Sequence, residues 1–139
     1  MKVLIDTNII LDVLLKRGPY YKHSQLVLLA AEEQYIYGYI SASAITDIFY
    51  VTHKALKSKT ETYALLKNLI GTITIAAVDS DIITDALESD WDDFEDGVQY
   101  FVGESIEVDY IVTRNPYDFL SGDTKVVLPE ALLNLIAPE

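Results

Sequence analysis

The sequence predicts an α/β protein of three layers: a central, mostly parallel sheet of four to five strands with helices on both faces. Three observations lead there. Short apolar and β-branched runs alternate with longer stretches of helical periodicity, the pattern of parallel strands joined by helical crossovers. Two of the runs, Val3-Leu4-Ile5 and Val108 to Thr113, are bounded by polar residues and read as buried strands. Half of the 139 residues are apolar, enough for one real core, so residues 1–139 are expected to form a single domain.

Taken in order, the first strand ends at Asp6, and Thr7 or Asn8 is placed to cap a helix over Ile9–Lys16. Arg17-Gly18-Pro19 breaks it. Tyr20–Gln34 reads as a second helix with Leu26, Leu29 and Ala30 on its apolar face. Tyr35–Ile40, rich in aromatic and branched residues, reads as a strand. Ser41 or Ser43 then caps a helix to Lys57, with Ile45, Ile48, Phe49, Thr52 and Leu56 inward. Thr60 is the expected cap of a helix over Glu61–Ile70, which Gly71 ends. Thr72–Val78 is a third strand, and Asp79 or Ser80 starts a helix to Glu88. After a turn at Ser89–Asp92, a helix is expected from Asp93 to Gly103, then the strand Val108–Thr113. A loop over Arg114–Asp123 carries Asn115-Pro116 and Ser121-Gly122 turn signals. A short strand, Lys125–Leu128, precedes a helix that Pro129 opens and that runs to Ile136.

Composition narrows the chemistry. With no cysteine and two histidines, His23 and His53, disulfides, thiolate zinc sites and histidine-rich metal sites are disfavoured. No apolar run approaches the roughly 18 residues of a membrane span, so no membrane association and a cytoplasmic location are expected. The net charge of −12 argues against a general nucleic-acid coat. Its distribution is uneven. Residues 1–78 carry eight Lys/Arg and six Asp/Glu, whereas residues 79–139 carry two and sixteen. The basic residues Lys16, Arg17, Lys22, Lys54, Lys57, Lys59 and Lys67 read either as solvated helix faces or as a patch that steers phosphate.

Position selects among the acids. Asp6 ends a buried strand, where open α/β sheets place ligand crevices. Asp47 lies in an otherwise apolar helix, and Asp96 sits one turn inside its helix, beside Gly97. Asp93, Asp96 and Tyr100 share one face of that helix, next to an apolar face of Phe94, Val98 and Phe101. Asp92, Asp93 and Glu95 are explained as partners of the helix dipole. Asn115 and Asp118 emerge beyond the strand that ends at Thr113, and either approach the acids or only build a turn. Asp12 reads as an ordinary surface acid. Converging carboxylates cannot all stay ionised without a cation, and an oxygen-only ligand set selects a hard ion, Mg²⁺ or Mn²⁺. That chemistry is metal-assisted phosphodiester hydrolysis. A phosphoacceptor domain would need paired acids after the first strand and a lysine after a later one. Here Asp6 is followed by Thr7-Asn8, and Thr113 by Arg114-Asn115.

Four segments together resemble the PIN-domain family, and within it the VapC-like toxin ribonucleases of bacterial toxin–antitoxin pairs. They are Val3–Asn8, Ser43–Asp47, Asp93–Asp96 and Ile111–Phe119, in the family's order and spacing. The resemblance implies a PIN-like fold and an acidic pocket that holds Mg²⁺ or Mn²⁺ and cuts RNA. By motif, Asp6, Asp47, Asp96 and Asp118 are the implied catalytic metal ligands, supported by Thr7, Asn8, Thr113 and Asn115. Asp47 stands where glutamate is commoner. Asn115 stands where many relatives carry a fourth acid, with Asp118 three residues on. Arg114 is expected either to contact phosphate or to pair with a nearby acid, and Lys54 and Lys57, with Lys59, to line the approach of RNA. A small antitoxin partner, bound through apolar helix faces, and a homodimer are also implied. The alternative is a catalytically weak PIN-like domain that binds protein or RNA.

Overall fold

The chain runs β1 (Lys2–Ile5), α1 (Thr7–Leu14), α2 (Tyr21–Glu32), β2 (Tyr37–Ser41), α3 (Ala42–Leu56), α4 (Lys59–Ile70), β3 (Thr74–Ala76), α5 (Ser80–Glu88), α6 (Phe94–Ser105), β4 (Tyr110–Val112), a 3₁₀ turn (Pro116–Phe119), β5 (Val126–Val127) and α7 (Pro129–Ile136). These elements come from a computed structural model that describes residues 1–119 and 125–137. The turn expected at Ser121-Gly122 and the loop end at Asp123 lie outside the described residues.

The five strands form one sheet in the order β3-β2-β1-β4-β5, and every described pair is parallel. The chain builds outward from β1 to β3, then returns to lay β4 and β5 on the other side of β1. The order therefore reverses between β1 and β4, and the crevice of an open α/β sheet opens at the carboxyl ends of such a pair. The Asp6 N–H donates to the Val112 carbonyl at 3.0 Å, extending the pairing to the residue at that crevice.

Strand alternation sorts the core into two halves. Val3 and Ile5 point to a layer with Ile9, Ile10, Val27, Ile48, Leu66, Leu69 and Leu132, drawn from α1 to α4 and α7. Leu4 points the other way, to Ile82, Ala86, Val98, Val102 and Ile111, which include the buried sides of α5 and α6. The three-layer prediction is met, with five strands. No described helix is long and apolar enough to cross a membrane.

Local departures from expectation have local causes. Ser58, not Thr60, caps α4, its hydroxyl accepting from the Glu61 N–H at 3.1 Å. Leu26 and Leu29, expected inward, are about two-fifths exposed, while Ser24, Val27, Ala30 and Ala31 fill the inner face of α2. Phe94 is likewise exposed at 45 %. β3 is shorter than the β-branched run that encodes it, because it pairs on one side only, at the sheet edge. Asp12, expected at the surface, is completely buried.

Gly97 is needed for close approach. A Cβ there would lie 2.9 Å from the Trp91 Cγ, so α6 presses its second turn directly on the indole. Trp91 in turn packs on Tyr100 and Phe119 at ring-centroid distances of 5.2 and 6.0 Å. Gly97→Ala must displace that ring cluster, and a loss of about 1–3 kcal/mol in unfolding free energy is expected from urea denaturation.

Candidate active site

Asp6 is the N-cap residue of α1 in position but not in function. Its backbone is extended and its side chain makes no cap hydrogen bond. The carboxylate, 5 % exposed, turns to two neutral donors instead. Gln99 Nε2 on α6 donates to Oδ1 at 2.8 Å, and Thr113 Oγ1 after β4 donates to Oδ2 at 2.8 Å. Both donors are themselves buried. Thr113 Oγ1 also accepts from the Asn115 N–H at 3.1 Å, which orients the hydroxyl toward Asp6. Two neutral donors meet the desolvation cost of the acid without cancelling its charge.

The first turn of α6 brings further acids to Asp6. Asp93 caps the helix, accepting from the Glu95 and Asp96 N–H groups at 2.9 and 3.3 Å. That fixes Glu95 and Asp96 in the turn facing the crevice. Burial, and then the carboxylates of Asp93, Asp6, Asp118 and Glu95, push the Asp96 carboxyl up to about 7. Glu95 is raised as well, by burial first and then by Asp47, with which it shares a carboxyl–carboxyl hydrogen bond, and by Asp93 and Asp6. Thr7 Oγ1 reaches Glu95 Oε1 at 3.5 Å.

Thus Asp6 and the exposed Asp118 act on Asp96, whereas the exposed Asp47 acts on Glu95 and reaches the other acids only through it. Thr113 supports Asp6 directly and Thr7 supports Glu95. Asn8 is half-buried in the first turn of α1. Asn115 contributes backbone: besides its N–H to Thr113, its carbonyl accepts from the Asp118 N–H at 3.1 Å. Its exposed position and this turn match the turn-building reading of Asn115.

Arg114 does not face this crevice as a phosphate contact. Its Nε lies 2.7 Å from the buried Oδ2 of Asp12, and its guanidinium carbon stacks 4.0 Å from the Tyr20 ring centroid. Asp12 also accepts from Ser24 Oγ at 3.3 Å and has Arg17 at 4.0 Å. Arg114 therefore pairs with an acid, but with Asp12 and not with the site. Lys54 and Lys57 lie at the far end of α3, exposed and favourably placed on its C-terminal dipole.

Two residues of the site escape the sequence reading. Glu95 looks like a dipole partner and is instead the link between Asp47 and Asp6. Gln99 has no chemistry of its own to announce it. The signal was its place between Val98 and Val102, an amide set into an inward helix face. Its Oε1 is buried and has no hydrogen-bond partner among the described residues.

The donor set is one that a hard divalent cation fits: carboxylate oxygens gathered near one another, beside an unpartnered buried amide oxygen. Among the described residues, no three His, Cys, Asp or Glu side chains already stand together as a closed metal cage. Asp6 is the fixed member, and the others are half-buried or exposed.

The PIN-domain family profile matches residues 2–116. No curated protein matches at a significant level. Solved structures similar to the chain include VapBC2 from Rickettsia felis bound to a DNA fragment from its promoter, with 17 % identity and a TM-score of 0.70 over 92 % of this chain and 98 % of that one. A toxin–antitoxin complex from Klebsiella pneumoniae has 22 % identity and a TM-score of 0.66 over 91 % and 97 %. VapC20 from Mycobacterium tuberculosis, described as a Sarcin-Ricin loop cleaving toxin, has 11 % identity and a TM-score of 0.64 over 78 % and 86 %. At these identities the likeness is one of fold.

Two outcomes follow from the geometry. Thr113→Val removes the hydroxyl but keeps the volume, leaving the buried Asp6 Oδ2 without its donor. Unfolding free energy should fall by about 1–3 kcal/mol in urea titration. An acid whose pKa is higher folded than unfolded favours the fold while protonated. For Asp96 that contribution is whole below its ordinary 3.8 and is lost as pH rises through about 7. In metal-free buffer the melting temperature should therefore fall across that window, and Asp96→Asn should flatten the fall, as read by differential scanning fluorimetry.

Proposed function

The chain belongs to the PIN-domain family, and from that membership we propose that it is a metal-dependent ribonuclease, the toxin of a toxin–antitoxin pair. The observation that carries the reading is the gathering of carboxylates beside the buried Asp6, where burial first, and then Asp93, Asp6, Asp118 and Glu95, push the Asp96 carboxyl up to about 7. Such mutual repulsion destabilises the fold unless a cation relieves it, and sites with perturbed acids in a crevice are where hydrolytic chemistry is found.

Asp6 and Asp96 are the residues we assign to hold Mg²⁺ or Mn²⁺, with Glu95, Asp47 and Asp118 turning inward to complete the set. A bound divalent ion supplies an activated water and neutralises charge at the phosphorus. Gln99 and Thr113 keep Asp6 aimed, and the Gln99 Oε1 offers an acceptor to orient a water at the cluster. Glu95, whose carboxyl is raised by burial and then by Asp47, is the group placed to give a proton to a leaving oxygen and take it back from water. Asp47 carries one methylene fewer than the glutamate common in the family, and Glu95 spans that gap through its hydrogen bond.

RNA as substrate, a small antitoxin partner and a homodimer accompany this reading. The likeness to VapBC2 from Rickettsia felis and to the toxin–antitoxin complex from Klebsiella pneumoniae supports the partner. The likeness to VapC20, a Sarcin-Ricin loop cleaving toxin, supports RNA. Exposed Leu26 and Leu29 on α2 are suited to an antitoxin that binds apolar helix faces. The absence of a closed three-acid cage among the described residues favours one rival, a PIN-domain binding module with weak catalysis.

Incubation with mixed RNAs separates them. Cleavage should require Mn²⁺ or Mg²⁺, stop with EDTA, and fall to background in Asp6→Asn and Asp96→Asn. Glu95→Gln should cut more slowly, while Thr113→Val should lose about 10- to 100-fold through the misplaced Asp6. RNA cleavage equal in wild type and in both aspartate variants supports the binding module instead.

A further inference from the structure

α3 leads away from the acids, and one side of it is unlike the rest of this acidic protein. From Asp47, the positions Tyr50, Val51 and Lys54 follow at spacings of three and four, so they share a helix face. Tyr50 is 69 % exposed. Lys57 closes the helix in a left-handed cap, and α4 begins at once with Lys59 and continues to the half-exposed Tyr63. The Phe49 ring joins the two tyrosines, with centroids 5.8 Å from Tyr50 and 4.9 Å from Tyr63, both T-shaped. Lys59 Nζ stands 5.9 Å from the Tyr63 centroid. The patch therefore offers two exposed tyrosine rings on a packed aromatic base, flanked by three of the chain's ten basic residues.

The chemistry selects the occupant. A second copy meeting this patch about a two-fold axis would bring Lys54, Lys57 and Lys59 against their own counterparts, a like-charge clash. A purely apolar peptide would leave the lysines without partners. A nucleic-acid duplex would satisfy the lysines but keep its bases away from the rings. A single strand satisfies both, because every base has a π-face and every linkage a phosphate. Resting on the ribonuclease reading, we propose that Tyr50 and Tyr63, with Lys54, Lys57 and Lys59, form a stacking track that takes single-stranded RNA and leads it along α3 to the acids at Asp47.

The test is the fluorescence anisotropy of a fluorescein-labelled mixed-sequence RNA 12-mer, single-stranded or annealed to its complement, at low salt in EDTA so that binding is read without cleavage. The single strand should bind more tightly than the duplex. Tyr50→Ala and Tyr63→Ala should each weaken it about fivefold or more, and Tyr50→Phe and Tyr63→Phe should retain it. Replacing Lys54, Lys57 and Lys59 by alanine should reduce the slope of log affinity against log salt by about 2. Tyr50 is exposed enough that its alanine variant will fold, so it decides the matter if Tyr63→Ala melts early. Unchanged affinity in Tyr50→Ala, or equal binding of single strand and duplex, overturns the track. So does a Tyr50→Ala variant that loses only self-association by sedimentation. The two readings fail separately. Wild type that cleaves RNA while the tyrosine variants bind normally removes the track alone. The expected binding pattern without any metal-dependent cleavage removes the nuclease alone.

Discussion

The candidate site depends on one buried carboxyl group being held in place. Asp6 sits where the strand order reverses between β1 and β4, so its carboxylate is removed from water by the sheet itself. Buried polar oxygens cost free energy unless they are hydrogen-bonded. Gln99 and Thr113 meet that cost by donating one hydrogen bond to each oxygen. The two donors come from α6 and from the residue after β4, elements that pack on each other only once the sheet is complete. The geometry of the acid is thus a property of the assembled fold rather than of the opening segment.

The same segment carries a second buried acid, handled in the opposite way. Asp12 lies against the Arg114 guanidinium, and burial still outweighs that partner, leaving its pKa raised. A carboxylate paired with a guanidinium has its charge answered and presents little to a cation. A carboxylate held by an amide and a hydroxyl presents all of it. This contrast sets Asp6, the residue proposed for chemistry, apart from Asp12 as architecture, and gives Arg114 a place. It anchors the chain after β4 to α1, one residue beyond the Thr113 that supports Asp6.

How much of this is legible in the sequence follows from the range of each interaction. Asp6 can be read because a strand and its end are local patterns. Asp96, expected one turn inside its helix, lies instead in the first turn of α6 beside Glu95, because Asp93 is the cap and the helix starts at Phe94, so depth alone does not mark it. The helices at Ala42–Leu56 and Pro129–Ile136 follow from caps and breakers within a few residues. Asp12 cannot be read, since its burial is decided by a partner far along the chain. Gln99 is invisible for the same reason: its role exists only beside Asp6. Glu95 has a good local explanation as a dipole partner, and only the reach of Asp47 across from α3 sets it apart.

The layer arrangement also resolves the tension between a chain of net charge −12 and the polyanionic substrate proposed for it. The strongly acidic stretch, residues 79–139, supplies α5 and α6, which cover one face of the sheet. The lysines after Asp47 lie on α3 and α4, which cover the other. A phosphate backbone nearing the crevice therefore meets repulsion on one side and attraction on the other, and the field orients it before contact. At physiological salt such fields fade within about 8 Å, so the orientation is imposed only near the surface. Lys54 lies seven residues from Asp47, about 10 Å along the helix. The attractive end of α3 thus begins to act at roughly the distance where the acids cease to repel, which makes α3 the side of least resistance into the site.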